Sequence, residues 1–312
     1  MNPEQLGNDV DARLIFVGGS PRSGTTLVQN MLDCHPDVLG GPEFLHLPDI
    51  VSLGKKLHAS IDRQWIDLFC SHEEVDEKLR RLCLDFLLPL ADRMQARRLS
   101  EKTPENVLVF PELARLFPHA RFLHVVRDPR AVVASLLEVG RRARQKGLKP
   151  APFTADTQAA IQRVRRSVSK GAQAAREFPD RVMTVRYEDV VLHPERETRA
   201  ICEFLGLEWT SAMCRPADKP HLGEAAITEK SNELWYDRQS YYRNPEPANL
   251  EKWRSRLKAL DHLRVIRAFR DDPYLRALGY TLDPGEIPPL TRLFFPVSHL
   301  AQRALRKVKP PA

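Results

Sequence analysis

A parallel α/β sheet with helices on both faces is the fold class that three observations predict. Short apolar runs recur at Leu14–Val17, Ala120–Val126 and Val182–Arg186, each followed by a helical pattern. The first run carries no polar alternation, the signature of a strand covered on both sides. Between it and the next helix sits a glycine loop, Gly19 to Thr26. Strand, loop and helix in that order build parallel layered sheets, whose ligands sit at the carboxyl ends of the strands. At 312 residues and 42% hydrophobic content the chain holds enough apolar mass for one large domain, residues 1–312, with a helical insertion.

Each element follows in turn. Leu27, Met31 and Leu32 fall at helical spacing after the loop, and His35-Pro36-Asp37-Val38 stops that helix. A short extended piece then leads into Gly40-Gly41-Pro42-Glu43-Phe44, an ordered turn. Residues 45–97 read as a helical insertion that walls a substrate cleft, with Leu79, Leu82, Phe86 and Leu87 on its apolar stripe. Arg98–Lys102 reads as a strand, with Thr103 capping and Pro104 opening the helix after it, which puts Lys102 at the carboxyl edge of the sheet. Ala120–Val126 ends in Arg127, and Asp128 caps a helix over Ala131–Val139 that Pro129 opens. Val182–Arg186 is followed by Tyr187-Glu188-Asp189 and a helix from Pro194 to Leu205 that stops at Gly206. Residues 213–248, rich in Pro, Asn and charge, read as a long functional loop or lid. Residues 290–309 form a basic amphipathic pattern that docks on the domain, with membrane-surface contact as the alternative.

Charge and cysteine usage narrow the function classes. The formal net charge is +7, and its excess is local: residues 121–170 hold twelve Lys or Arg against three Asp or Glu. Such a stretch draws a polyanion, or is a solvated helix face. Five cysteines, none spaced C-x-x-C, argue against a disulfide framework or a structural zinc site. With a polar, acidic start and no window near the ~18 apolar residues of a membrane span, a reducing, cytoplasmic setting is the expectation.

The glycine loop fits the phosphate-loop spacing G-x-x-x-x-G-K-[ST] at every position except the lysine, where Thr25 stands. An ATPase or kinase wants that lysine between the outer phosphates and a metal beside it. Here Arg22 lies inside the loop instead, and Asp128 is better used as a helix cap than as a magnesium ligand. The loop therefore suits a 5'-phosphate with one further anionic group and no metal.

These residues carry a resemblance. Pro21-Arg22-Ser23-Gly24-Thr25-Thr26 after an apolar strand resembles the 5'-phosphosulfate loop of the sulfotransferases that use 3'-phosphoadenylyl sulfate (PAPS). Val126-Arg127-Asp128-Pro129-Arg130, with Ser135 eight residues past Arg127, resembles their 3'-phosphate site. The likeness continues through His35–Val38, Glu101-Lys102-Thr103-Pro104 and Tyr187–Pro194, with a weaker echo at Asn249–Trp253. Its pattern is closest to the tyrosylprotein sulfotransferases. It implies a P-loop nucleotide-hydrolase-like fold, and transfer of a sulfuryl group from PAPS to an acceptor hydroxyl.

The resemblance also implies roles. Arg22, with Ser23, Gly24, Thr25 and Thr26, holds the 5'-phosphosulfate, and Lys102 is the cation at the bridging oxygen. Arg127 and Ser135 take the 3'-phosphate, a planar guanidinium gripping phosphate bidentately. Arg130 adds charge there or pairs with a carboxylate. Glu43, twenty-one residues after Arg22, is the base, and His46 is the local runner-up. His124, inside an apolar strand, is a core histidine. Tyr187 contacts the nucleotide, as do Ser240 and Arg243 from the late loop. The acceptor is a peptide tyrosine, a carbohydrate, a lipid or a small molecule; no motif points to nucleic acid. Two other readings stay open: a polyanion-binding protein without chemistry, and a kinase-like phosphotransferase.

Overall fold

The computed structural model describes residues 10–222, 234–235 and 244–287. Two compact units emerge, one from residues 1–127 and 163–250, the other from 128–162 and 251–312. The strands are β1 (Leu14–Gly19), β2 (Val38–Gly40), β3 (Arg98–Lys102), β4 (Arg121–Val126) and β5 (Val182–Arg186). The helices are α1 (Thr25–Asp33), α2 (Leu47–Asp62), α3 (His72–Arg93), α4 (Phe110–Leu116), α5 (Pro129–Gln145), α6 (Thr157–Glu177), α7 (Tyr187–Leu192), α8 (Pro194–Leu205), α9 (Trp253–Arg256), α10 (Ala259–Phe269) and α11 (Pro273–Ala277).

All five strands lie in the first unit and pair in parallel in the order β2-β3-β1-β4-β5. Side chains of β1 alternate between two cores, as a pleated strand requires. Leu14 and Phe16 pack with Leu99, Phe110 and Phe122 on one face, where the Phe16 and Phe122 rings stack at 5.1 Å. Ile15 and Val17 pack with Val28, Met31, Leu123 and Val125 on the other. Helices therefore cover both faces, and the order doubles back at β1, the place where open parallel sheets bind ligands.

Residues 45–97 supply α2 and α3, and α3 opens on a capping box in which Ser71 and Glu74 satisfy each other's backbone amides. The predicted stripe is half right. Leu79 and Leu87 are buried, but Leu82 and Phe86 are exposed, because the column facing the core runs through Val75, Leu79, Cys83 and Leu87. Gly206 ends α8 in the left-handed region as expected. His124 is a core histidine: its ring lies where a side chain on Gly171 of α6 would stand, 2.1 Å from an added Cβ, and burial pushes its pKa down to about 3.

In the second unit α5 runs on past the predicted Val139 to Gln145. Val132, Leu136, Leu263, Ile266 and Phe269 are buried there. Asp128 caps α5 through its contact with the Arg130 amide and also binds the Arg130 guanidinium, which lies 4.5 Å over the Trp253 ring. Arg130 thus takes the carboxylate-pairing alternative. The late-loop residues Ser240 and Arg243, most of 213–248 and the pattern at 290–309 lie outside the described residues. No described helix is long and apolar enough to cross a membrane.

Candidate active site

The loop after β1 is shaped by its backbone. Ser23 N–H donates to the Ser20 carbonyl at 2.9 Å, and Arg22 and Gly24 both take positive φ, 75° and 102°. At Gly24 the requirement is steric as well, since a Cβ there would stand 2.2 Å from the Tyr187 ring. The N-cap of α1 is Gly24, which has no side chain to bond the first amides, and a helix amino end is a site that favours an anion. Thr25 and Thr26 are buried in its first turn. The Ser23 hydroxyl is buried with no partner among the described residues. The Arg22 side chain donates to the Trp235 carbonyl, 213 residues away in the chain.

Arg127, just past β4, reaches the same loop. Its Nη1 donates to the Arg22 carbonyl at 3.4 Å, and its guanidinium lies 4.2 Å over the Tyr187 ring. Its Nε is buried with no partner among the described residues. Tyr187, at the start of α7, therefore touches both Gly24 and Arg127. Ser135 is half-buried on α5, in the second unit.

The turn carrying Glu43 is fixed from two sides. Gly41 N–H donates to the Ser100 carbonyl at 3.0 Å, and Gln29 of α1 donates to the carbonyls of Gly41 and Ser100 at 2.8 and 3.1 Å. Glu43 there accepts a charge-assisted hydrogen bond from Lys102, which is only 1% exposed. A buried ammonium needs such a partner. His46, the runner-up base, is a surface ring paired with Asp49 at 3.0 Å.

Beside this pair sits Glu101, which carries no role in the sequence reading. Thr103 stands at the predicted cap position, but its hydroxyl donates to Glu101 at 2.6 Å instead of accepting from the helix backbone. The signal was present in the sequence: an acid directly before Lys102, at the carboxyl end of a strand read as part of the sheet. Gln29 and Trp235 were likewise missed.

The basic stretch is largely committed to internal partners. Arg121 donates to the Asp180 carbonyl, Arg141 and Arg142 bind Glu138, and Arg163 binds Glu105. Among the described residues no group of three or more His, Cys, Asp or Glu is placed to hold a metal.

Comparison with known proteins agrees with this geometry. A profile of the sulfotransferase family matches residues 14–211. Protein-tyrosine sulfotransferase 1 of Danio rerio is 30% identical over 285 residues, covering 89% of this chain and 75% of that protein. The protein-tyrosine sulfotransferase of Drosophila melanogaster is 32% identical over 288 residues, 88% of this chain and 53% of its own; the chain spans about half of that relative. Among solved structures, the sulfotransferase domain of the Synechococcus PCC 7002 olefin synthase superposes with a TM-score of 0.57 at 25% identity, covering 86% of this chain and 95% of that one. A mouse sulfotransferase complexed with PAP shares the fold at a TM-score of 0.53 and 15% identity, covering 89% of this chain and 94% of its own.

Proposed function

The chain belongs to the sulfotransferase family, enzymes of sulfuryl transfer, and from that premise we propose that its donor is PAPS and its acceptor a phenolic hydroxyl, a tyrosyl peptide first among them. The observation that carries the donor is a pair of buried donors at one loop, Ser23 Oγ within it and Arg127 Nε reaching it from the end of β4, neither with a partner among the described residues. A buried donor without an acceptor costs about 1–3 kcal/mol, and an anion in the loop removes that cost. Thr25 at the lysine position suits a phosphosulfate better than a metal-bound triphosphate.

In the reaction Glu43 takes the proton of the acceptor hydroxyl, and the freed oxygen attacks sulfur. The bond between sulfur and the bridging oxygen of the phosphosulfate breaks, leaving adenosine 3',5'-bisphosphate. Lys102 meets the charge that builds on that oxygen, and Arg22 with the loop holds the phosphosulfate. Arg127 grips the 3'-phosphate, with Tyr187 against the nucleotide. The resemblance in sequence also assigns Ser135 to the 3'-phosphate, and Ser240 and Arg243 to the nucleotide.

The acceptor reading draws support from the surface beside Glu43. The Phe44 and Phe86 rings lie 5.5 Å apart, and Phe86 is 58% exposed, a ledge that suits an aromatic group. All five cysteines are free thiols, which supports a reducing, cytoplasmic setting. The test is transfer of labelled sulfate from PAPS into a tyrosyl peptide and into extracts, with identification of the labelled product. Glu43→Gln is expected to bind the nucleotide normally and lose about a hundredfold or more in turnover. Undiminished turnover removes Glu43 as the base, and no label from PAPS in any product removes the reading.

A further inference from the structure

Next to the Glu43–Lys102 contact lies a second carboxylate that the mechanism above leaves unused. Glu101 is 1% exposed. Its Oε1 accepts from the Phe44 amide at 2.9 Å and from the Thr103 hydroxyl at 2.6 Å, and its Oε2 accepts from Asn106 Nδ2. The three donors come from different places: the turn that carries Glu43, the residue after Lys102, and the 3-10 helix over Pro104–Val109. One side chain thus ties together both flanks of the reacting pair.

Asn106 supplies a second observation. It is fully buried, and its Oδ1 has no partner among the described residues, although its Nδ2 serves Glu101. Turned over, that amide presents its oxygen to a protonated carboxyl, so Glu101 finds a partner in either charge state.

We infer that Glu101 is a positioning residue for sulfuryl transfer: its carboxylate sets where Glu43 and Lys102 stand by holding the Phe44 amide, Thr103 and Asn106 in one buried knot. The inference rests on the sulfuryl-transfer reading. The charged groups acting on Glu101 are Glu43 from the turn and Lys102 from its own strand; Thr103 and Asn106 are neutral. Burial pushes its pKa up, the Thr103 and Phe44 hydrogen bonds pull it down, Glu43 raises it and Lys102 lowers it, and it settles at about 7. A proton on Glu101 at Oε2 turns the Asn106 amide over and leaves a neutral carboxyl, whose bonds to the Phe44 amide and Thr103 lose their charge assistance, so the hold on the turn slackens.

Glu101→Gln keeps the size and one accepting oxygen, and tests this in the full chain. With labelled PAPS, and a tyrosyl peptide or water as acceptor, kcat is expected to fall about tenfold or more, as a small misplacement of reacting groups does. KM for PAPS should move less than about threefold, because substrate binding is not what is lost. An acid limb near neutral pH in the wild-type kcat profile should be absent from Glu101→Gln and return in Glu101→Asp. A readout independent of turnover is amide hydrogen exchange at Phe44, whose N–H donates to Glu101, measured without PAPS. It should speed up about threefold or more in Glu101→Gln. If kcat or the Phe44 exchange rate is unchanged in Glu101→Gln, the inference is overturned. A wild-type chain that moves no sulfuryl group to peptide, water or any component of an extract overturns the sulfuryl-transfer reading instead, and the Phe44 exchange rate keeps the two failures apart.

Discussion

Arg127 brings to the phosphate loop a guanidinium whose planar face rests on Tyr187 and whose Nε has no acceptor among the described residues. A lysine reproduces the charge but neither the stacking nor the fork. Arg127→Ala is therefore expected to weaken adenosine 3',5'-bisphosphate about tenfold to a hundredfold by calorimetry, the worth of one or two charge-assisted hydrogen bonds. Arg127→Lys should recover only part of that loss. An unchanged Kd in Arg127→Ala would put the 3'-phosphate elsewhere. Gly24 presents the opposite case, a residue that matters by what it lacks. With φ at 102° and the Tyr187 ring where a Cβ would stand, Gly24→Ala should cost about 1–3 kcal/mol, seen as a lower Tm, and displace Tyr187 from the loop. A Tm within a degree of wild type would mean the loop tolerates a side chain there.

At the scale of elements, β1 and the loop after it were readable because burial on both faces leaves an unbroken apolar run and a tight phosphate turn demands glycine. Helix α3 was readable as a helix but not in its facing: Leu82 and Phe86 sit at the same three- and four-residue spacings as Leu79 and Leu87, and only the packed structure separates the two columns. Thr103 was misjudged for a different reason. A hydroxyl at a cap position bonds the backbone unless a stronger acceptor is near, and the Glu101 carboxylate, two residues back in the chain, is that acceptor; the Phe44 amide that shares it comes from 57 residues away. The Arg22 contact with the Trp235 carbonyl lies beyond any spacing rule. What sequence reveals here is what neighbours in the chain decide; what it conceals is what distant turns bring.

For the whole molecule, two buried titrating groups push stability in opposite directions. His124 titrates at an ordinary 6.5 when unfolded and at about 3 when folded, so the unfolded chain binds more protons between these values and stability falls as pH drops below 6.5. Glu101 goes from 4.5 to about 7, so the folded chain binds more protons in that window and stability falls as pH rises through it. Between 4.5 and 6.5 the slopes oppose each other. Urea unfolding of Glu101→Gln is expected to uncover the histidine limb, with stability rising to pH 6.5 and then level, while wild type stays flatter and declines toward pH 7. Parallel curves would mean that Glu101 does not titrate there. Ligand linkage gives a further expectation: adenosine 3',5'-bisphosphate at a hundred times its Kd should add about 2.7 kcal/mol, a Tm gain of roughly 5 °C, and ATP with magnesium should not match it. An equal response to both would favour general polyanion binding.

Gln29 joins the scales. Its amide, buried in the helix whose amino end faces the phosphate loop, grips the carbonyls of Gly41 and Ser100, and so binds the donor helix, the Glu43 turn and the Lys102 strand to one another. The posture of the Glu43 carboxylate is thereby settled when the chain folds, once in the life of each molecule. In the proposed reaction the acceptor meets a carboxylate already in place, and no part of its binding energy goes into building the apparatus that would deprotonate it.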